Sequence, residues 1–264
     1  MHARPIIDPS TNRPLRELFP EPSATVDLAE TYEFPQEAAH WVRANFVASL
    51  DGAAAVDGRA GGLGNETDVR IFARLRALAD VILVGSGTAR AEGYGPMRTA
   101  AEWRDLRLGR SATAPIAVVT NSGHLDTTAP LFTEAPAEAR TIVILPAAVG
   151  RERRQQLARA ADVIVAGQDE VDPTSAIAQL VERGYPRISC EGGPRFFSSL
   201  IETNCLDELC LTTSPLLVGS DAPRITHGEA LATPRHMGLA RLLTDGSFLY
   251  SRYVRDDVLD LVVG

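Results

Sequence analysis

The sequence lacks the cysteine patterns that mark disulfide-rich proteins and most structural metal sites. It has only three cysteines, Cys190, Cys205 and Cys210, an odd number with no C-x-x-C pair among them. Two of the three lie in apolar, strand-like patterns, which is typical of buried thiols. We therefore expect reduced cysteines, no disulfide and no metal site, as is usual for a cytoplasmic protein.

Long apolar runs and a basic surface are absent as well. Residues 1–20 contain no apolar segment of the kind found in secretory signals, and no later run approaches the ~20 residues that a membrane span needs. The formal net charge is −8 and the pI is near 5.2, whereas nucleic-acid binding needs clustered positive charge. We therefore expect no membrane and no nucleic-acid partner. A small phosphorylated ligand would need only a local cluster of arginines.

What the chain does contain is enough apolar sequence for a sizeable core. Of its 264 residues, 45% are hydrophobic and 23% are charged, which suits one large core or two small ones, and we favour one. Residues 1–36 are rich in proline and have little periodicity, which predicts an arm lying across the body. For residues 1–12 a disordered tail is the alternative. Residues 37–264 then form the single folded domain.

Strand-like and helix-like segments alternate from Trp41 onward. Residues 41–50 have strand character, and Asn65 precedes a helix whose apolar face is marked by Ile71, Leu75 and Leu78. Alternation of this kind predicts an α/β fold with parallel strand pairs. Further strands are expected at 116–120, 141–145, 163–165, 187–190, 206–218 and 239–254, the last broken by a hairpin turn at 244–247, and helices at 151–159 and 173–183.

One strand end carries a glycine turn suited to phosphate. The apolar run 188–190 ends at Glu191-Gly192-Gly193, and a helix begins at Pro194, where a missing N–H costs nothing. Without Cβ atoms in the turn, a ligand phosphate can approach the free N–H groups and the positive end of the helix dipole, and Glu191 faces whatever binds. An ordinary tight turn between strand and helix is the alternative.

A second strand ends in a turn of the same kind. After Asp80, residues 81–84 form an apolar run typical of a strand buried on both faces of a parallel sheet, and Gly85-Ser86-Gly87-Thr88 follows it. Arg90 stands where a Rossmann fingerprint has its third glycine, and neither turn is followed by the lysine of a Walker motif. Two such turns favour two phosphates or one pyrophosphate between them. A dinucleotide is therefore expected, on a scaffold other than the standard Rossmann one.

A third motif places a carboxylate at another strand end. The stretch Asn45-Phe46-Val47-Ala48-Ser49-Leu50 continues into Asp51-Gly52, which terminates the strand. An aspartate that only forms the turn is the alternative. Taken with the two glycine turns, the motif predicts a carboxylate near the cofactor crevice.

In their order and spacing these motifs resemble the pyrimidine reductase family of riboflavin biosynthesis. The resemblance implies a dihydrofolate-reductase-like, three-layer α/β fold, with a central, mixed, mostly parallel sheet and helices on both faces. It also implies a cytoplasmic, homodimeric, NADPH-dependent reductase of the ribosylamino group of 5-amino-6-(5-phosphoribosylamino)uracil or a close relative. The matching segments are Asn45 to Gly52, Leu75-Arg76-Ala77, Val84 to Thr88, Glu191 to Pro194, Leu206 to Leu209 and Pro215 to Gly219.

The resemblance also assigns roles to individual residues. Asp51 and Glu191 are the catalytic candidates, which would orient the pyrimidine or supply a proton. Asn45, Arg76 and Arg98 are implied to bind substrate, the two arginines through bidentate contacts to its phosphate. The residues implied to bind the cofactor are Gly85, Gly87 and Thr88, then Gly192, Gly193, Pro194, Arg195, Phe196 and Phe197 around its pyrophosphate, and Thr120 and Ser122 near its 2′-phosphate.

Departures from the family pattern bear on the substrate. Family members often carry aspartate after the Gly-Thr turn, whereas Glu92 stands in this loop, and residues 59–64 lack the polar and aromatic residues that often precede the helix. The zinc deaminase motif of bifunctional members does not occur in this sequence, so we expect a separate protein to deaminate. Two alternatives stay open: reduction of a pterin such as dihydrofolate, and nucleotide binding without catalysis.

Overall fold

A computed structural model of the chain describes residues 7–8, 13–107, 109–219 and 221–263. The strands are β1 (Ile7–Asp8), β2 (Arg13–Pro14), β3 (Arg16–Phe19), β4 (Trp41–Ser49), β5 (Val81–Gly85), β6 (Ile116–Val119), β7 (Ile142–Leu145), β8 (Asp162–Val165), β9 (Arg187–Cys190), β10 (Glu208–Ser214), β11 (Met237–Thr244) and β12 (Leu249–Arg255). The α-helices are α1 (Leu28–Thr31), α2 (Glu66–Leu78), α3 (Ser86–Ala91), α4 (Pro130–Thr133), α5 (Arg151–Ala158), α6 (Pro173–Glu182), α7 (Pro194–Glu202) and α8 (Asp260–Val263), and short 3₁₀ helices cover Ala60–Gly62, Ala101–Arg107, Ala137–Ala139 and Asp256–Val258.

Ten of these strands form one mixed sheet, in the order β3-β11-β12-β10-β4-β9-β5-β6-β7-β8. Every neighbouring pair from β10 to β8 is parallel, and the three pairs on the other side of β10 are antiparallel. The expected strand at 206–218 is shorter than predicted, since β10 ends at Ser214 before Pro215, which has no N–H to donate to a neighbour. The predicted α/β fold with a mostly parallel sheet is confirmed.

Helices cover both faces of the sheet. On one face α6 and α7 bury Ile177, Leu180 and Phe197 against alternate residues of the central strands. On the other face lie α2, with Ile71, Leu75 and Leu78 buried as predicted, and α5 with Leu157. Asn65 caps α2 as expected, because its side chain accepts a hydrogen bond from the Asp68 N–H. The packing places the carboxyl ends of the parallel strands at one edge of a three-layer core.

The segment before Trp41 contributes side chains to this core from Leu15 onward. β3 pairs with β11 at the edge of the sheet, and Leu15, Tyr32 and Phe34 are buried. Pro14 and Pro20 flank β3, which fits an edge strand and also explains why periodicity did not reveal it. Apart from Ile7–Asp8, the tail predicted at 1–12 lies outside the described residues.

A buried carboxylate fastens this segment to the sheet. Glu208, at the start of β10, is fully buried and accepts hydrogen bonds from Arg43, Arg252 and the Trp41 indole at 2.6–3.1 Å. The same two guanidiniums donate to the backbone carbonyls of residues 31–33. Burial alone would raise the pKa of Glu208, but Arg252 and Arg43 together lower it to about 2.

Two of the cysteines are buried thiols, as predicted. Cys190 lies on β9 and Cys210 on β10, both in the core. Burial raises the pKa of Cys190 to about 12, so its thiol stays protonated at neutral pH. Within the part of the chain that the structure describes, no helix is both long and apolar enough to cross a membrane.

We predict that Glu208→Gln destabilises the fold by about 3–5 kcal/mol, because it leaves two buried guanidiniums without a counter-charge. The pKa of Glu208 is about 2 in the fold, against ~4.3 for an unfolded glutamate. The contribution of the Glu208 charge to the free energy of unfolding is therefore complete at pH values above ~4.3, and it is lost as the pH falls from there towards 2. Urea unfolding between pH 7 and pH 3 measures both effects. Glu134→Gln, which removes the carboxylate of an exposed ion pair with Arg98, should change stability by less than about 1 kcal/mol.

Candidate active site

The structure brings the two glycine turns together. β5 and β9 are parallel neighbours, so their carboxyl ends lie side by side, and the N–H of Gly85 donates to the carbonyl of Gly192 at 2.7 Å. α3 begins directly after the first turn and α7 directly after the second. Two helix starts, whose first N–H groups have no partner within the helix, therefore meet at one point of the sheet edge.

The glycines of these turns serve two different purposes. A Cβ on Gly85 would lie 3.0 Å from the nitrogen of Gly193, and one on Gly193 would lie 2.8 Å from the hydroxyl oxygen of Thr88. Gly192 has a φ of +92°, which favours glycine. Gly85 and Gly193 thus favour glycine because the two turns pack against each other, and Gly192 favours it because of its backbone conformation. Gly87 differs, since nothing lies within 4 Å of a Cβ built on it, and this is the open space that a phosphate could fill.

α7 is held in place by its aromatic residues. Phe197 is fully buried, and its ring lies 4.5 Å from that of Phe46 on β4. Phe196 is buried as well, whereas Arg195 in the first turn is exposed. Pro194 stands at the first helical position, as predicted. The two phenylalanines thus anchor the helix, and Arg195 is the side chain of this turn that is free to face an anion.

The end of β6 lies next to the Gly85 turn in the sheet. Thr120 is buried there, and its hydroxyl accepts a hydrogen bond from the N–H of Gly123 at 3.1 Å. Ser122 is exposed, and its hydroxyl accepts from the N–H of His124 at 3.2 Å. Of the two hydroxyls predicted to lie near a 2′-phosphate, that of Ser122 is at the surface.

Glu191 sits directly after β9 in a cluster of three charged or polar side chains. The whole residue is only 7% exposed. Its carboxylate accepts two hydrogen bonds from Arg76, both at 2.6 Å. Tyr94 donates its hydroxyl to the same carboxylate at 2.6 Å. The Arg76 guanidinium also contacts the rings of Phe72 and Tyr94, at 4.2 and 5.2 Å from their centroids.

The surroundings of Arg76 and Tyr94 shift the pKa values of both side chains. Burial alone would lower the pKa of Arg76, but the Glu191 carboxylate raises it above its ordinary value. Burial and the same carboxylate raise the pKa of Tyr94, so its hydroxyl remains a donor at neutral pH. Sequence reasoning found Glu191 and Arg76 but missed Tyr94. The only sign of it was its place in the loop that departs from the family pattern.

The two remaining substrate candidates lie in different surroundings. Asn45 is half-buried on β4, directly after Ala44, which pairs with Cys190, so it lies on the row next to Glu191. Arg98 is outside this cluster. Its side chain is 81% exposed and contacts Glu134 at 3.4 Å. The structure therefore brings Asn45 and Arg76 to Glu191, and leaves Arg98 at the surface.

Asp51 fastens a loop. It follows β4 in a turn with Gly52 at a φ of +87°, and its carboxylate accepts hydrogen bonds from the N–H groups of Val218 and Gly219 at 2.6–3.2 Å. The hydroxyl of Ser49 also hydrogen-bonds it, and these bonds lower its pKa to about 2. Asp51 is thus ionised at neutral pH and already carries its partners. This geometry favours the turn-forming alternative over proton transfer by Asp51, and substitution of Asp51 distinguishes the two roles.

A further carboxyl, Asp68, was not singled out from the sequence as a site residue. It lies in the first turn of α2, and Thr212 on β10 donates its hydroxyl to it at 2.6 Å. Burial raises its pKa, although the bond from Thr212 opposes that shift. Asp68, Phe72 and Arg76 recur at i, i+4 and i+8, so they share one stripe of α2 that runs from Thr212 to Glu191. That spacing is the signal that could have found it.

A family model described as the RibD C-terminal domain matches residues 40–249. The chain belongs to this family. The resemblance inferred from its motifs is thereby confirmed. Two curated relatives are named 2,5-diamino-6-ribosylamino-4(3H)-pyrimidinone 5′-phosphate reductase. The one from Archaeoglobus fulgidus is 30% identical over 219 residues, covering 81% of this chain and 99% of the relative. The one from Methanothermobacter thermautotrophicus is 29% identical over 217 residues, covering 81% and 97%.

A solved structure shares both the fold and part of the sequence of this RibD C-terminal domain protein. It is the crystal structure of a pyrimidine reductase-like protein from Corynebacterium diphtheriae, with a TM-score of 0.75 and 26% sequence identity. The match covers 86% of this chain and 98% of that one. The predicted pyrimidine-reductase type of α/β fold is therefore confirmed over most of the chain.

We predict that Asp51→Asn keeps turnover close to that of the wild type, because asparagine can also close the turn before Gly52 and accept a hydrogen bond from the 218–219 loop. Steady-state kinetics measure this. A fall of about a hundredfold or more, with unchanged cofactor affinity, would instead assign proton transfer to Asp51. Asp126→Asn, which alters another exposed aspartate that accepts hydrogen bonds from Thr128, is the matched control.

Proposed function

We propose that this protein is an NADPH-dependent reductase of a phosphorylated ribosylaminopyrimidine. The observation that carries the proposal is the position of Glu191, oriented by Arg76 and Tyr94, directly beside the paired glycine turns. A carboxylate at that point lies where cofactor and substrate must meet in this type of fold. The names of the two archaeal relatives support the reaction class.

The relatives' substrate differs from the aminouracil that the motifs implied. Their names specify a pyrimidinone that carries an amino group at position 2. Asp68 supports the same choice for this protein, because a carboxyl group pairs well with an exocyclic amino group and an adjacent ring nitrogen. We therefore place 2,5-diamino-6-ribosylamino-4(3H)-pyrimidinone 5′-phosphate first among the substrates, ahead of its deaminated counterpart.

The residues present fit a nicotinamide dinucleotide. The open space over Gly87 and the start of α7 accommodate a pyrophosphate, and exposed Arg195 offers it a cation. Ser122 and the absence of any acidic residue in 120–123 favour a 2′-phosphate over a bare ribose hydroxyl. When bound, the nicotinamide would supply a hydride to C1′ of the ribosylamino group, where the bond from C1′ to the ring oxygen breaks and that oxygen becomes a hydroxyl group. The protein orients the pyrimidine and provides a proton for the reduced product.

Two further expectations belong to the same proposal. A cytoplasmic location fits the buried thiols of Cys190 and Cys210. A homodimer fits an exposed apolar group at the ends of β4 and β10, where Leu50 is 61% and Leu217 78% exposed. Leu216 joins them through its carbonyl, which accepts from the N–H of Leu50 at 2.9 Å.

Reduction of a pterin is the second candidate, and Asp68 is the observation that favours it. A dihydropterin carries the same 2-amino-4-oxo edge as the diaminopyrimidinone, so one carboxyl could hold either ring. A carboxyl with a raised pKa can also donate a proton to a ring nitrogen. The two candidates differ in the phosphate, which only the ribosylaminopyrimidine carries close to the reacting carbon.

For the cofactor we predict that Gly87→Leu abolishes NADPH binding without unfolding the protein, because its side chain would fill space that the protein leaves open. Titration of NADPH fluorescence measures this. The wild type should bind NADPH at least about tenfold more tightly than NADH, the effect of one charge-assisted contact. Gly150→Leu, at another position with nothing within 4 Å of a Cβ, is the control and should bind normally. An unchanged affinity of Gly87→Leu for NADPH would contradict the proposal that the cofactor pyrophosphate binds over Gly87.

For the substrate we predict that NADPH oxidation at 340 nm is fastest with the diaminopyrimidinone ribotide, slower with the aminouracil ribotide and slowest with dihydrofolate. Asp68→Asn should lower turnover of the first by about a hundredfold. It should leave stability at pH 7 equal or higher, because burial disfavours the charged form of Asp68. Fastest turnover of dihydrofolate would assign the pterin activity instead. Binding of NADPH without oxidation in any assay would assign the non-catalytic alternative.

A further inference from the structure

Tyr94 links the segment that follows the Gly85 turn to Glu191. The chain runs from Gly85 through α3 to Tyr94, and the Tyr94 hydroxyl donates a hydrogen bond to Glu191. The residue after Glu191 is Gly192, whose carbonyl accepts a hydrogen bond from the N–H of Gly85. The loop is therefore fastened at both ends to the same point of the sheet. Gly93, at a φ of +66°, turns the chain, and the N–H of Tyr94 bonds back to the carbonyl of Ala89 at 2.9 Å.

The Tyr94 side chain does two things at this point. Its ring lies 5.2 Å from the centre of the Arg76 guanidinium, which also lies 4.2 Å from the ring of Phe72. Its hydroxyl donates to Oε2 of Glu191, the oxygen that also accepts from Nη2 of Arg76. Glu191 is thus held by donors from α2 and from the loop after α3, while its own backbone N–H bonds the carbonyl of Leu83 on β5.

We propose that Tyr94 is a positioning residue that holds the Glu191 carboxylate in its orientation toward the reacting groups. The inference rests on the proposed function, in which Glu191 acts at the substrate. Arg76 alone would leave the carboxylate free to tilt about the axis of one bidentate pair. A third donor from a separate element fixes that tilt, and the phenol can do so because burial and Glu191 keep it protonated.

The test is a double-mutant cycle between Tyr94→Phe and Glu191→Gln. Phenylalanine removes the hydroxyl and keeps the ring against Arg76. In the otherwise wild-type protein Tyr94→Phe should lower kcat about tenfold, the loss of one charge-assisted hydrogen bond, with little change in KM for substrate or in NADPH affinity. In the Glu191→Gln background the same change should lower kcat less than about twofold, because the residue through which Tyr94 acts is already altered.

Unfolding in urea gives a readout that does not depend on turnover. The same cycle should show a coupling of about tenfold in the unfolding equilibrium constant, because the two side chains are in direct contact. Tyr185→Phe is the matched control. Tyr185 packs with the α6 and α7 cluster on the opposite face, so its loss of a hydroxyl should change neither kcat nor the effect of Glu191→Gln.

Equal loss of kcat from Tyr94→Phe in both backgrounds would overturn the proposal, since Tyr94 would then act independently of Glu191. So would an unfolding cycle without coupling. If the wild type turns over none of the three substrates, the proposed function fails, and the unfolding cycle alone decides whether Tyr94 holds Glu191. In that case, coupling between the two substitutions supports the conclusion that Tyr94 holds Glu191, and the absence of coupling overturns it.

Discussion

The hydrogen bond from Gly85 to Gly192 is the constraint on which the site depends. It exists because β5 and β9 are adjacent and parallel, so that two strands distant in sequence end at the same edge. The turns pack so closely that a Cβ on Gly85 or Gly193 would crowd the other turn, and both helix starts lie beside Glu191. A shift of one residue in this register would move the carboxylate to the opposite face of the sheet.

The features that the sequence predicts well are set by neighbours along the chain. The strand ends at Gly85 and Cys190, the Asn65 cap and the buried face of α2 follow from local patterns, and the structure confirms them. Contacts such as Tyr94 to Glu191, or Thr212 to Asp68, join residues about a hundred or more positions apart. They depend on strand order and on helix orientation, and no local period encodes either.

The charge of a side chain was a weak guide to its role for a related reason. The chain has no lysine, so its 26 basic side chains are all arginines, and sequence alone does not distinguish a binding arginine from a structural one. The structure does so through their partners. Arg43 and Arg252 hold backbone carbonyls and Glu208 in the core, Arg98 meets an exposed glutamate, and Arg76 meets Glu191. Burial and the identity of the acceptor, rather than residue type, separate these roles.

The pairing of Arg76 with Glu191 bears on where a substrate phosphate would bind. The carbon that accepts a hydride and the 5′-phosphate lie at opposite ends of the ribose chain. A carboxylate acting at that carbon and an arginine holding the phosphate should therefore not be in bidentate contact. Both Nε and Nη2 of Arg76 are taken up by Glu191, at 2.6 Å each. A phosphate would have to displace the carboxylate or add its charge beside it, and both cost free energy in a buried site. The geometry thus favours Arg76 as the partner that orients Glu191. It also favours a position for the substrate phosphate away from Arg76.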